Sequence, residues 1–148
     1  MRGQELACRL WPEPHVAQRF KIDRDQEIIF DHSFAGHFVL YALVNRPTLF
    51  DTFIAASPSI WFEDKLLRRE NLRKRLETKL ATTDSRPRVL VTVGDYEKAA
   101  DLDFPPALME TLLALRQPDN ARKYADWLAG LKGIEARFEL LNGHPGGH

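Results

Sequence analysis

Apolar positions along the chain fall into short unbroken runs separated by longer stretches of mixed polarity. Glu27-Ile28-Ile29-Phe30, Phe53-Ile54-Ala55-Ala56, Arg88 to Val93 ending at Gly94, and Glu135 to Leu141 are predicted strands. Phe38-Val39-Leu40-Tyr41-Ala42-Leu43-Val44 is apolar all round, which predicts a helix buried on most sides and stopped by Asn45-Arg46-Pro47. From Glu63 to about Leu80, leucines at 66, 67, 72, 76 and 80 recur among charges at helical spacing. A further helical stretch, about Pro106 to Leu131, is predicted to break near Pro118. Pro14 to Phe20 has helical composition, with proline in a first turn where its missing N–H costs nothing. Residues 1–13 form an irregular lead-in, residues 142–148 a glycine-rich tail, and no internal repeat is present.

Strands that read as continuous apolar runs and alternate with helices predict an α/β fold, a parallel sheet covered by helices on both faces. Each crossover should be right-handed. Sites on such sheets gather at the carboxyl ends of the strands. That places Ser33, the segment after Gly94, and the terminal tail together as candidates.

Composition narrows the class without changing the fold. The 148 residues suffice for one core and are too few for two ordinary domains. Lys+Arg and Asp+Glu both number 21, so there is no basic surplus of the kind a nucleic-acid partner demands. The single Cys8 excludes an intrachain disulfide framework and a cysteine-based zinc site. No apolar run approaches the ~18 residues of a membrane span. The N-terminus lacks the basic-then-apolar layout of a secretion signal, so a cytoplasmic protein without membrane partners is expected. The arginines between 68 and 75 alternate with acids and read as a solvated helix face.

The compact turn Asp31-His32-Ser33-Phe34-Ala35-Gly36 joins a predicted strand directly to a buried helix. One reading makes Ser33 the cap of a helix starting at Phe34. The other makes it a nucleophile. A serine hydroxyl attacks poorly until it is lifted from the backbone and given a base. A strand-turn-helix elbow does the lifting, needs small residues two before and two after the serine, and aims the next N–H, here that of Phe34, at a substrate oxyanion. His32 and His37 flank the turn and read as packing residues.

His32-Ser33-Phe34-Ala35-Gly36, the apolar helix after it, and Ala55-Ala56-Ser57-Pro58-Ser59-Ile60-Trp61 together resemble the enterochelin (siderophore) esterase branch of the α/β hydrolases. The resemblance runs from about residue 14 to the C-terminus and corresponds to the C-terminal half of that fold. It implies a serine esterase acting on a small-molecule ester, with no metal or organic cofactor. It makes Ser33 the nucleophile and Phe34 N–H an oxyanion donor. Gly94-Asp95-Tyr96-Glu97 matches the family's acid segment, with Glu97 first and Asp95 second. The base is a tail histidine, His148 or His144. Trp61 reads as core packing or as the wall of an acyl or aryl pocket.

Two departures carry expectations of their own. Asp31 and Ala35 stand where the family has glycines, and the bulk or charge of Asp31 is expected to crowd the helix or oppose the oxyanion. On that expectation Asp31→Gly raises thermal stability, activity, or both. The family also carries early strands ahead of the elbow, so residues 1–148 read as one N-terminally truncated hydrolase domain. Its open edge implies a homo-oligomer or pairing with a missing N-terminal half. The rival to catalysis is a packing or pairing module that keeps the fold; a peptidase of the same fold is disfavoured by the lack of a peptide-binding subdomain.

Overall fold

A computed structural model of the chain describes residues 18–21, 23, 26–60, 70–94 and 117–141. Four strands, β1 (Ile28–His32), β2 (Thr52–Ala56), β3 (Arg88–Gly94) and β4 (Glu135–Leu141), form one parallel sheet in the order β1-β2-β3-β4. Between them lie α1 (Ser33–Asn45), α2 (Glu70–Ala81) and α3 (Gln117–Ala129). The strands fall where the apolar runs predicted them. The turn at residues 18–20 and the helix α2 cover only parts of the stretches expected to be helical, because residues 14–17 and 61–69 lie outside the described residues.

Register explains the core. Ile29, Phe53, Val89 and Ala136 lie side by side across the sheet, as do Asp31, Ala55, Val91 and Phe138. Most of this face is buried, and the three helices add Val39, Leu40, Leu43, Val44, Leu76, Leu80, Ala121, Tyr124, Ala125 and Leu128 to the same core. The described helices therefore form one layer on one face. On the opposite face Ile54 and Leu90 are half-buried while Ile28 and Phe30 are exposed. Two-sided cover is thus not complete among the described residues. No described helix is long and apolar enough to cross a membrane.

One helix departs from the prediction for a local reason. α1 begins at Ser33, five residues before the apolar run, and Lys79 of α2 donates a hydrogen bond to the Asn45 carbonyl at its far end. A cation there suits the negative end of the helix dipole. Pro118 sits in the first turn of α3, where proline is tolerated; residues 106–116, on the far side of the expected break, lie outside the described residues.

The charged stretch on α2 is only partly a solvated face. Lys74 pairs with Glu70 at 2.8 Å in the open. Arg73 instead turns inward, its guanidinium 4.4 Å from the centre of the Trp127 ring. Beside it the Tyr124 ring is fully buried, and its hydroxyl has no hydrogen-bond partner among the described residues. Burial pushes that hydroxyl far above the ordinary tyrosine range, against a smaller opposing effect of Arg73. A buried donor left unpaired costs about 1–3 kcal/mol. Tyr124→Phe is therefore expected to raise stability by about 1 kcal/mol in chemical denaturation; a loss would reveal a partner for the hydroxyl.

Candidate active site

β1 runs extended to His32, at φ −120° and ψ 150°, and the chain then reverses at Ser33, whose φ is +58°. A non-glycine residue in that region is uncommon and costs on the order of 1–3 kcal/mol, so its surroundings must hold it there. Ser33 is exposed at the carboxyl end of the strand and at the amino end of α1. The helix starts at Ser33 with His32 as its N-cap, and no side chain caps it. This geometry is that of an elbow, not of a serine cap on a helix beginning at Phe34.

The restraint comes from the loop after β2. Ser59 N–H donates to the Ser33 carbonyl at 3.1 Å. The loop is itself bent at Ser57, with φ +44°, and is anchored by Ser57 N–H donating to the Thr92 carbonyl of β3 at 2.7 Å. His37, buried one turn into α1, closes the arrangement with Nδ1 3.0 Å from the Ser59 carbonyl. A carbonyl only accepts, so Nδ1 carries the proton. His37 is thus a packing residue, as expected, with a fixed hydrogen bond added. His32 is not: it is exposed.

Close approach falls one residue away from the position the elbow rule marks. A Cβ on Gly36 would lie 2.9 Å from the Ala56 carbonyl oxygen, 3.2 Å from that of Asp31, and 3.4 Å from Pro58 Cα. The helix thus rests on backbone at residue 36, while Ala35 is half-buried. Asp31 is not packed against the described residues. It is exposed, and its Oδ1 accepts the His32 N–H at 2.9 Å. Because glycine would remove that acceptor and loosen the unfolded chain, Asp31→Gly is expected to lower stability by about 0.5–1 kcal/mol, reversing the sequence expectation. A melting temperature at or above that of the unmodified chain would contradict this.

An α-helix offers no internal acceptor to the N–H groups of its first turn, and Phe34 lies in that turn. The Phe34 ring is exposed and stacks beside His37, with centroids 6.4 Å apart. Glu97, Asp95, His144, His148 and Trp61 lie outside the described residues. The register does fix where their segments leave the sheet: Gly94 pairs with Leu141, at the same carboxyl end as His32, Ala56 and Thr92.

Comparison with known proteins follows the same outline. Residues 5–138 match the family described as "Putative esterase". The siderophore triacetylfusarinine C esterase of Aspergillus fumigatus is 35% identical over 130 residues, covering 83% of this chain and 44% of that protein. The ferri-bacillibactin esterase BesA of Bacillus subtilis is 31% identical, covering 88% of this chain and 41% of that protein. Among solved structures, the siderophore hydrolase EstB from Aspergillus nidulans superposes with a TM-score of 0.71 at 24% identity, over 90% of this chain and 47% of that one. The BES protein from Bacillus cereus gives 0.70 at 20% identity, over 90% and 44%. These two establish the shared fold. The chain spans less than half the length of the relatives it matches.

Proposed function

The chain belongs to the Putative esterase family, and from that premise we propose that it is a serine hydrolase of carboxylic esters with Ser33 as nucleophile. The observation that carries the proposal is the left-handed backbone of an exposed Ser33 at a strand-helix junction, φ +58°, restrained by the Ser59 hydrogen bond. Strain of this kind in a non-glycine residue is kept where it serves a site.

In this reading Ser33 Oγ attacks the ester carbonyl carbon while a tail histidine, His148 or His144, takes its proton. Phe34 N–H and the amino end of α1 stabilise the oxyanion. Collapse of the tetrahedral adduct expels the alcohol, which takes the proton from the histidine. Water, deprotonated by the same histidine, then attacks the acyl-enzyme and releases the acid, and Ser33 regains its proton. Glu97, with Asp95 as the alternative, holds the imidazole tautomer. The parallel register supports this assignment because residues 95–97 and 142–148 follow strand ends that share the carboxyl edge with Ser33. The relatives' names make triacetylfusarinine C and ferri-bacillibactin the first esters to try.

A fluorophosphonate probe tests the chemistry without knowledge of the substrate. Peptide mapping is expected to place the adduct on Ser33 and on no other serine. An intact chain that stays unlabelled would sink the catalytic reading. It would favour the pairing module, for which exposed Ile28 and Phe30 on β1 are the supporting observation.

A further inference from the structure

The Ser33 carbonyl and the Phe34 N–H are the two ends of one peptide unit. No described peptide bond is cis, so the unit is planar and its two ends point in opposite directions. Whatever holds the carbonyl therefore aims the N–H. A hydrogen bond reaches this carbonyl from outside α1: Ser59 N–H donates to it at 3.1 Å.

Ser59 lies in neither a helix nor a strand. Its loop follows β2 and has no ladder of backbone bonds, so individual contacts set its position. Ser57 N–H anchors the loop to β3 through the Thr92 carbonyl, and Ile60 N–H bonds within it to the Pro58 carbonyl, each at 2.7 Å. His37 adds the contact at Ser59 itself, with Nδ1 3.0 Å from the Ser59 carbonyl and both residues buried. Ser59 is thus held by α1 at both backbone ends, its N–H by Ser33 and its carbonyl by His37. Loss of the imidazole would leave that buried carbonyl without this partner, which favours a shift of the loop. The imidazole also lies nearly parallel to the Phe34 ring, at 12° and 6.4 Å between centroids. His37 therefore faces the donor residue directly and reaches its peptide through Ser59.

We propose that His37 is a positioning residue, which through Ser59 fixes the Ser33–Phe34 peptide so that Phe34 N–H points at the oxyanion. The proposal rests on Ser33 as nucleophile and adds to it a group that touches neither the substrate nor the reacting atoms. A donor stabilises developing charge fully only when it is aimed beforehand. A misplacement of about 1 Å costs on the order of 10²-fold.

His37→Leu deletes the hydrogen-bond donor and keeps apolar bulk, whereas His37→Asn keeps an N–H close to the place of Nδ1. Turnover of p-nitrophenyl acetate is measured per active site, with sites counted at the end point of fluorophosphonate labelling. In His37→Leu, kcat and kcat/KM per labelled site are expected to fall together by about 10- to 100-fold, as for an interaction made in the transition state. His37→Asn should recover most of that loss. A purely structural role for His37 would lower the melting temperature and the number of labelled sites, not the turnover of each. Where leucine does not fold, His37→Gln replaces it: the side chain stays polar but places its N–H nearer the Nε2 position, and the same fall is expected. Wild-type turnover per site in His37→Leu or His37→Gln would overturn the proposal and leave the role of Ser33 standing. So would a loss in His37→Asn as large as in His37→Leu. A wild-type chain whose Ser33 takes no label would overturn the nucleophile reading, and this proposal with it.

Discussion

Ester hydrolysis is expected to fall by about 10³-fold or more when Ser33 is replaced by alanine, the scale seen when a member of a catalytic triad is removed. The expectation rests on geometry that alanine can also adopt only at a cost, so folding must be followed alongside. The serine stands at φ +58° on an exposed corner, and its carbonyl is held by Ser59 N–H at 3.1 Å, a bond that involves backbone alone and survives the substitution. Side-chain truncation therefore removes the nucleophile and leaves its mount. The assay compares wild type and Ser33→Ala on p-nitrophenyl acetate and butyrate at matched melting temperatures. Equal rates would identify the activity as nonspecific, and absence of turnover by the wild type would remove Ser33 from any role as a nucleophile.

Gly36→Ala is expected to destabilise the fold by about 1–3 kcal/mol, the usual cost of forcing an extra methyl group into a filled space. The added Cβ would meet the Ala56 carbonyl oxygen at 2.9 Å and that of Asp31 at 3.2 Å. Both obstacles are backbone atoms of paired strands, so neither can swing aside as a side chain would. Relief requires α1 to lift from the carboxyl ends of β1 and β2, which strains the Ser59 hydrogen bond to Ser33 and the His37 bond to Ser59. Melting should fall by roughly 3–10 °C for a domain of this size, and labelling of Ser33 should slow in parallel. A variant that melts like wild type would show that the helix has room the geometry denies. One that melts lower yet labels at the wild-type rate would uncouple the helix contact from the elbow.

The strands were legible in the sequence because each is a local, continuous apolar run, and a parallel sheet buries such runs wherever its helices cover it. The order of elements followed from the same pattern, as did the importance of Ser33, whose neighbours form a recognisable turn between a strand and a buried helix. What failed at that turn was local propensity. Ser33 through Gly36 read as turn residues, yet they form the first turn of α1, because the Ser57–Ile60 loop and the end of β2 press against them. That contact joins segments twenty or more residues apart and leaves no periodic trace. For the same reason the rule of small residues at 31 and 35 missed Gly36, and it gave Asp31 a clash that its exposed position does not have. Arg73 could not be told from its charged neighbours until Trp127, on another helix, was placed beneath it. The exposure of the β1 side chains was likewise out of reach. Ile28 and Phe30 read simply as apolar strand residues, and only the register, which sets which face each side chain occupies and which strand has a neighbour, left them exposed. Sequence alone determined what is periodic along the chain. Tertiary structure decided what depends on two distant segments meeting, and the strained serine, the helix rest at Gly36 and the open β1 edge all belong to that second kind.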